Sequence, residues 1–120
     1  VIMRDITMMR STLGSYQEMN GVIQYIFDNY QKQITIDELA TLIKVSPRQL
    51  ERRFKKLFGL TPIRYINEHR IRIACTKLRQ TQMNISTIAK HIGFYDHAHF
   101  VRVFQKSMKV TPSVYRHSNS

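Results

Sequence analysis

The chain contains the same pattern twice, and this internal repeat constrains its fold more than any single motif does. When the sequence is shifted by 49 residues, a short apolar pattern that begins at Ile36 falls on one that begins at Ile85. With one more residue in the turn that follows, the shift becomes 50 and a second, longer pattern aligns as well. The aligned pairs are Ile36 and Ile85, Leu39 and Ile88, Ala40 and Ala89, Ile43 and Ile92, Leu50 and Phe100, Phe54 and Phe104, Phe58 and Met108, Thr61 and Thr111, Pro62 and Pro112, and Tyr65 and Tyr115.

The first copy predicts a short helix, a tight turn and a longer basic helix. Thr35 with Glu38 and Ser46 with Gln49 are two capping boxes, in which each side chain can bond an unpaired backbone N–H at a helix start. Gly59 is the predicted end of the second helix, because glycine adopts the left-handed conformation most easily. These signals place one helix on each side of the turn near residue 45.

The second copy carries equivalent signals. Asn84 and Asp96 are predicted caps, and Thr111-Pro112 opens a last short helix as Thr61-Pro62 opens a longer one. A short helix, a turn of three or four residues and a second helix form a helix-turn-helix motif. No strand pattern of useful length is present. The sequence therefore predicts an all-α fold of about seven helices, with two helix-turn-helix subdomains joined by a long linker helix.

The linker helix is predicted from Pro62 to about Gln80, and it spans roughly 28 Å at ~1.5 Å per residue. That length is close to one turn of B-DNA, ~34 Å, the usual spacing of paired helix-turn-helix readers. One chain could then place two different recognition helices in successive major grooves. The predicted domains are a linker or leader over 1–16, a first helix-turn-helix subdomain over 17–61, the linker helix over 62–81, and a second helix-turn-helix subdomain with a C-terminal helix over 82–120.

The linker helix is expected to bury one side and expose the others. Its predicted apolar side consists of Tyr65, Ile66, Ile73, Ala74 and Leu78. Its other faces are predicted to carry Arg64, Arg70, Arg72, Lys77 and Arg79. Cys75, beside Ala74, is predicted to be a small buried hydrophobic residue.

The second helix of each copy has a polar face opposite its apolar residues. In the first copy, this face carries the predicted base-reading residues Arg48, Glu51 and Arg52, followed by Lys55. Arginine can bond guanine O6 and N7 together, and glutamate can accept from cytosine N4. The alternatives are a solvated helix face for the arginines and, for Glu51, an i,i+4 pair that only orients Arg48 or Lys55.

The same positions in the second copy hold different chemistry. The predicted base-reading residues there are Ala98, Val101 and Arg102, with His97 at the helix start. Alanine and valine can touch a thymine methyl group. The first helix is therefore expected to read through charge, and the second through one arginine and methyl contacts, so the site need not be a palindrome.

The charge of the chain is uneven. Residues 39–120 hold sixteen basic residues against three acidic ones, a balance of +13, whereas residues 1–38 hold three against five, a balance of −2. A basic field of this size favours a polyanionic partner, here double-stranded DNA, although solubility alone is the alternative explanation. The predicted phosphate contacts are Thr35, Lys44, Ser46, Lys55, Lys56, Asn84, Lys90 and Lys106.

Other classes of site find little support in the sequence. One cysteine allows neither an intrachain disulfide nor a cysteine-based zinc site, and it suits a reducing compartment. His97 and His99 are two residues apart and point away from each other on a helix, so no metal site and no cofactor are predicted. His69 and His91 are interpreted as surface or packing residues.

Two further function classes fit the sequence less well. An enzyme is not predicted, because no glycine-rich phosphate loop, paired carboxylates in an apolar setting or Ser-His-Asp order stands out. A helical protein-interaction domain would explain the apolar stripes but not the charge on the same face of both copies. Salt dependence separates these classes, since only DNA binding should weaken steeply with salt. No apolar run approaches the ~18 residues of a membrane span, and no signal peptide is visible.

A resemblance to a known family is carried by two stretches, ELATLIKVSPRQLERRFKKLFGLTPIRYINEHRIRIACTKL and ISTIAKHIGFYDHAHFVRVFQKSMKVTPSVYR. Over about residues 17–117 the chain resembles the DNA-binding domain of AraC/XylS-type bacterial transcription regulators. The second stretch is the more specific, with Gly93-Phe94, Phe100-x-Arg102-x-Phe104 and Thr111-Pro112 at their intervals. The chain departs from the family at Lys109, where glycine is usual, and at Ala98, often polar, which leaves open the base that it contacts.

The resemblance implies seven helices, two helix-turn-helix subdomains and a rigid linker helix. It also implies promoter binding, usually with activation by recruitment of RNA polymerase, in the cytoplasm. Many members carry a separate domain for effector binding and dimerisation. Because the first residue is valine, the chain is expected to be the C-terminal part of such a protein; the alternative is a stand-alone DNA-binding regulator without an effector domain.

Overall fold

Seven helices make up the structure, a computed structural model that describes residues 2–119, with side chains from Gly14 onward. No strand occurs among these residues, as the sequence predicted. The helices are α1 (Ile2–Asn29), α2 (Ile36–Leu42), α3 (Pro47–Phe58), α4 (Pro62–Gln80), α5 (Ile85–His91), α6 (His97–Met108) and α7 (Pro112–Ser118).

The start of the chain differs from the expectation of a linker or leader over 1–16. Helix α1 already begins at Ile2 and continues without interruption to Asn29. The sequence contains no proline before residue 47, and its apolar residues Ile2, Ile6 and Met9 recur at helical spacing. Val1 and Ser120, which the expected first and last domains include, lie outside the described residues.

The chain divides into two compact units that do not follow sequence order. The first unit contains the residues up to Asp28 together with Ile34–Pro62. The second contains Asn29–Gln33 and the residues from Ile63 onward. The short segment Asn29–Gln33, which begins at the last residue of α1, therefore belongs to the same unit as α4 and the second helix-turn-helix.

The predicted caps occur at four helix starts. Thr35, Ser46, Asn84 and Asp96 each accept a hydrogen bond from a backbone N–H in the first turn of the helix that follows. Each bond satisfies a backbone group that has no partner within the helix. Local chemistry therefore fixes where α2, α3, α5 and α6 begin.

The second unit is built around a core that α4 shares with α5 and α6. Its buried residues are Ile71, Ala74, Cys75, Leu78, Ile88, Ala89, Ile92, Phe94, Phe100 and Phe104. Cys75 is a buried packing residue, as predicted. On α4 the buried isoleucines are Ile66 and Ile71, whereas Ile73 is half-buried. In the described part of the chain, no helix is long and apolar enough to cross a membrane.

Helix α6 is capped at its C-terminal end by Lys109, the position where the related family usually has glycine. Lys109 adopts the left-handed conformation with φ +67°, and its N–H donates to the Gln105 carbonyl at 2.9 Å. Gly59 occupies the equivalent position after α3, with φ +78°. The helix stop is thus retained in both units, but in the second unit it places a lysine in a conformation that is costly for residues with a Cβ.

Replacing Lys109 with glycine should therefore raise stability. We expect Lys109→Gly to increase the free energy of unfolding by about 1–2 kcal/mol, because it removes the left-handed strain of the lysine. Urea unfolding followed by circular dichroism measures this change. The reciprocal variant Gly59→Lys should lose a similar amount, and a lower stability for Lys109→Gly would contradict the explanation.

Candidate nucleic-acid interface

Helix α3 is fixed to the first unit by one apolar side. Leu50 and Phe54 are completely buried, and the Phe58 ring packs on Phe54 with ring centroids 4.6 Å apart. The small buried residue Ala40 lies on α2, which packs against α3. Since the apolar side of α3 is used in this way, its opposite face is left for a partner.

The opposite face of α3 carries the residues that the sequence singled out. Arg48, Glu51, Arg52 and Lys55 are all exposed, and their spacing places them on one side of the helix. The ion pairs of Arg53 with Glu18 and of Arg64 with Glu68 leave this face untouched. Glu51 therefore makes neither of the ion pairs considered for it.

Arg53 has a different role from its neighbour Arg52. Its Nη1 atom lies 2.7 Å from Glu18 Oε1 on α1, and this contact is only partly exposed. Arg53 therefore ties α3 to α1 within the first unit. Arg52 and Arg53 are adjacent in sequence but point to different sides of the helix. Arg53 has a structural role, whereas Arg52 is exposed.

The predicted phosphate contacts of the first unit lie at its helix ends. The hydroxyls of Thr35 and Ser46 accept from Glu38 N and Gln49 N, each at 3.1 Å. Lys44 is exposed in the turn between α2 and α3, where it adopts φ +58°. Lys55 and Lys56 are exposed in the last turn of α3.

Helix α6 is fixed to the second unit by a row of aromatic rings. Phe94, Phe100, Phe104 and Tyr115 follow one another with ring centroids 5.3, 5.7 and 5.6 Å apart. Phe100 and Phe104 are completely buried. Offset and edge-to-face contacts of this kind stabilise more than the buried area alone does, so these rings anchor α6 to the core of the second unit.

The predicted base-reading residues of α6 lie on its outer side. His97, Ala98 and Arg102 are exposed, whereas Val101 is half-buried and packs partly against the core. The predicted phosphate contacts Lys90 and Lys106 are exposed in the last turns of α5 and α6. Asn84 caps α5, with its Oδ1 atom accepting from Ser86 N at 2.8 Å.

Arg70 corrects one sequence-based expectation. It was predicted on a charged outer face of α4, but it is only 7% exposed. Its Nε donates to the Tyr30 carbonyl at 2.9 Å and its Nη2 to the Lys32 carbonyl at 2.8 Å, while the guanidinium lies 5.6 Å from the centre of the Phe94 ring. Burial lowers the pKa of Arg70 from its ordinary value. The arginine thus holds segment 29–33 within the second unit.

Gly93 explains why this arrangement is tight. It lies in the turn of the second helix-turn-helix with φ +97°, and a Cβ there would overlap the Tyr30 carbonyl oxygen and lie 2.9 Å from Arg70 Nε. The Gln33 amide also donates to the Gly93 carbonyl at 3.0 Å. One signal in the sequence could have indicated this close packing. Gly93 aligns with Lys44 in the repeat, and Lys44 adopts a similar turn conformation, so the turn alone does not explain why residue 93 is glycine.

Arg116 is a second arginine that acts inside the chain. From α7, its Nε donates to the Leu78 carbonyl at 3.1 Å and its Nη2 to the Met83 carbonyl at 2.7 Å. It thereby satisfies carbonyl groups at the end of α4 and in the segment that leads to α5. With Arg53 and Arg70, it accounts for three basic residues that net charge alone would assign to a partner.

Two helix-turn-helix motifs, each with a polar exposed face on its second helix, define a DNA-binding protein of the helix-turn-helix class. A family model described as a helix-turn-helix domain matches residues 39–118. The chain belongs to the AraC-type family of helix-turn-helix transcriptional regulators.

Relatives and solved structures agree with this assignment. The transcriptional activator RhaS of Pectobacterium atrosepticum is 34% identical over 109 residues, which cover 88% of this chain and 39% of RhaS. AdaA of Bacillus subtilis, a bifunctional transcriptional activator/DNA repair enzyme, is 33% identical over 95 residues, which cover 79% of this chain and 45% of AdaA. The chain spans about two fifths of the length of the curated relatives it matches.

Two crystal structures illustrate the shared fold. An AraC-type regulator from Chromobacterium violaceum superimposes with a TM-score of 0.80 at 30% identity, covering 90% of this chain and 96% of that one. The DNA-binding domain of AdpA, solved in complex with a target DNA, has a TM-score of 0.77 at 22% identity and covers 84% of this chain and 90% of its own. The similarity to AdpA concerns the fold alone.

Proposed function

We propose that the chain reads a specific double-stranded DNA sequence by placing α3 and α6 in successive major grooves. The observation that carries this proposal is the same in both units: buried residues, aromatic in both, anchor the second helix of the motif, and the opposite face is largely exposed and carries arginine. A helix so held can enter a major groove without leaving its own core. Helix α4, with 19 residues, is about 28 Å long.

The two helices read by different chemistry in this proposal. On α3, Arg48 and Arg52 bond guanine through O6 and N7, and Glu51 accepts from cytosine N4. On α6, Arg102 bonds guanine, while Ala98 and the exposed part of Val101 touch thymine methyl groups. His97 donates or accepts at the helix start. The binding site is then asymmetric, with a charged half and a partly apolar half.

Phosphate contacts position both helices without reading sequence. The lysines of the turn and of the helix ends supply charge, and the capped starts of α2, α3 and α5 lie where backbone N–H groups can meet phosphate. The proposed contacts are Thr35, Lys44, Ser46, Lys55, Lys56, Asn84, Lys90 and Lys106, all of which are exposed.

Sequence selection followed by affinity measurements tests the proposal. Arg52→Ala and Arg102→Ala should each cost about 1–3 kcal/mol of binding free energy and relax the preference at different base positions, about one helical turn apart. Lys106→Ala is the control, because loss of a phosphate contact weakens all sequences evenly. If both arginine changes altered the preference at the same base position, the two-reader proposal would be wrong.

The role of the intact protein extends the proposal. We infer that it is a cytoplasmic transcriptional activator that recruits RNA polymerase. We also infer that it dimerises through a separate effector-binding domain. Relatives that are named as transcriptional activators support this inference. This chain matches only 39–40% of their length, which leaves room in them for a further domain. We also propose that this chain itself has no catalytic role and needs no cofactor; AdaA, the relative named as a repair enzyme, matches over 45% of its length. Transcription from a promoter that carries the selected site, with the intact protein present and absent, tests the sign of regulation.

A further inference from the structure

A hydrogen bond joins the two helices of the second motif at their exposed starts. Ser86 Oγ on α5 and His97 Nδ1 on α6 are 3.1 Å apart. Both side chains are exposed. The serine is not among the residues that the sequence marked for DNA contact, whereas His97 is.

Both partners project from backbone that is held in place. The Ser86 N–H donates to the capping side chain of Asn84 at 2.8 Å. His97 is the first residue of α6 and follows the cap Asp96, whose Oδ1 accepts from His99 N at 2.6 Å. The bond between Ser86 and His97 therefore links two fixed helix starts, and it leaves the other ring nitrogen of His97 directed away from its serine partner.

We propose that Ser86 is a positioning residue that fixes the tautomer of His97 and thereby its base preference, an inference that rests on the proposed DNA-binding function. The Ser86 hydroxyl donates to Nδ1, so the imidazole proton resides on Nε2. The ring then offers an N–H donor to the DNA. A neutral imidazole has one donor and one acceptor nitrogen, and the bond made by one nitrogen decides the role of the other.

The chemistry of DNA favours this direction of the bond. Phosphate oxygens, guanine O6 and N7, adenine N7 and thymine O4 are all acceptors. A donor at Nε2 and an accepted bond at Nδ1 satisfy serine, histidine and DNA at the same time. Exclusion of water on DNA binding strengthens both bonds, since hydrogen bonds in a low dielectric polarise one another.

A specificity rule follows for the base that faces His97. A donor at Nε2 favours guanine, adenine and thymine over cytosine, which presents only its N4 amino donor in the major groove. The opposite tautomer would reverse this preference. Ser86 therefore selects bases without touching them.

The first unit has no equivalent of this pair. The repeat aligns Ser86 with Asp37 and His97 with Pro47, and a proline side chain has no hydrogen-bonding group. The Ser86–His97 pair therefore occurs in the second helix-turn-helix alone. This agrees with the proposal that α3 and α6 read the two halves of the binding site differently.

The first part of the test uses the free protein and NMR. Long-range ¹H–¹⁵N correlation spectra, recorded at pH 8, above the range in which imidazole ordinarily titrates, identify which ring nitrogen of His97 is protonated. We expect Nε2–H with an Nδ1 acceptor signal in the wild type and in Ser86→Thr, which keeps the hydroxyl. Ser86→Ala should move the Nδ1 signal toward that of a solvent-exposed histidine. The fold is retained in Ser86→Ala, because the bond to Asn84 uses the backbone N–H.

The second part measures base preference by sequence selection. Ser86→Ala should reduce discrimination at one base position by about 3- to 10-fold, the equivalent of one hydrogen bond, and Ser86→Thr should restore it. In a His97→Ala background, Ser86→Ala should have no further effect, because the serine acts only through the ring. Ser107→Ala, an exposed serine elsewhere on α6, is the matched control and should change nothing.

The outcomes separate this inference from the function on which it rests. If the wild type binds DNA specifically but Ser86→Ala leaves both the His97 signals and the base preference unchanged, the positioning role is overturned. The same holds if Ser86→Ala changes preference equally with and without His97. If the wild type shows no specific binding at all, the proposed function fails, and the assignment of Ser86 to base selection fails with it, whatever the tautomer.

Discussion

The affinity of this chain for duplex DNA should fall by about 10³- to 10⁵-fold when salt rises from 50 to 200 mM. This is the expected loss for six to ten phosphate contacts, because each contact releases counterions from the DNA and salt opposes that release. The five lysines among the proposed phosphate contacts and the exposed Arg48, Arg52 and Arg102 together supply eight positive charges, a number within this range. Fluorescence anisotropy with a labelled duplex, at several salt concentrations, measures the slope.

Two variants that each remove one positive charge sharpen this prediction. Lys106→Gln removes one proposed phosphate contact and should reduce the slope of log affinity against log salt by about 1. Arg53→Gln removes the same formal charge but from a residue that is paired with Glu18 inside the first unit, so the slope should stay near that of the wild type. An affinity that is flat over the salt range would exclude electrostatic DNA binding and favour an apolar docking surface.

Gly93→Ala should be among the most destabilising single changes in the second unit, with a loss of about 2–5 kcal/mol. The left-handed backbone at Gly93 costs an alanine roughly 1–2 kcal/mol. The added Cβ would also overlap the Tyr30 carbonyl oxygen and crowd the Arg70 guanidinium, at a further cost of about 1–3 kcal/mol for overpacking. Neither neighbour can yield easily, since that carbonyl accepts a hydrogen bond from Arg70 at 2.9 Å.

Gly59→Ala is the matched control for this prediction. Gly59 also has a left-handed backbone, with φ +78°, but nothing lies within 4 Å of the position that its Cβ would take. This change should cost only about 1–2 kcal/mol, the backbone part of the effect. Chemical unfolding of both variants measures the difference, and equal losses would show that close packing at Gly93 contributes nothing.

Helix positions were largely predictable from the sequence. Ser46, Asn84 and Asp96 act on backbone groups two or three residues away, so a short window of sequence contains both partners of each bond. The apolar anchors of α3 and α6 follow the helical period and recur in the repeat, which gives each of them independent support. The exposed faces of these two helices follow directly, because they are the sides that the anchors leave free.

The start of α1 shows where local signals were insufficient. Residues 2–16 carry neither a strong cap nor a clear polar face, and so the sequence suggested a leader where the structure has helix. Helix propensity in such a segment differs little from residue to residue, and it decides weakly between helix and linker.

Only the tertiary structure distinguished basic residues that face outward from those that act inside the chain. Arg52 and Arg53 look alike in sequence, yet one is exposed and the other bonds Glu18, 35 residues away. Arg70 was expected at the surface and is buried against carbonyl groups about 40 residues distant. The sequence by itself determined the repeat, the helices from α2 onward and the exposed faces of α3 and α6, because those depend on neighbours within a turn or two. The internal arginines, the need for glycine at residue 93 and the pairing of Ser86 with His97 depend on residues brought together by folding, and no local pattern records such distances.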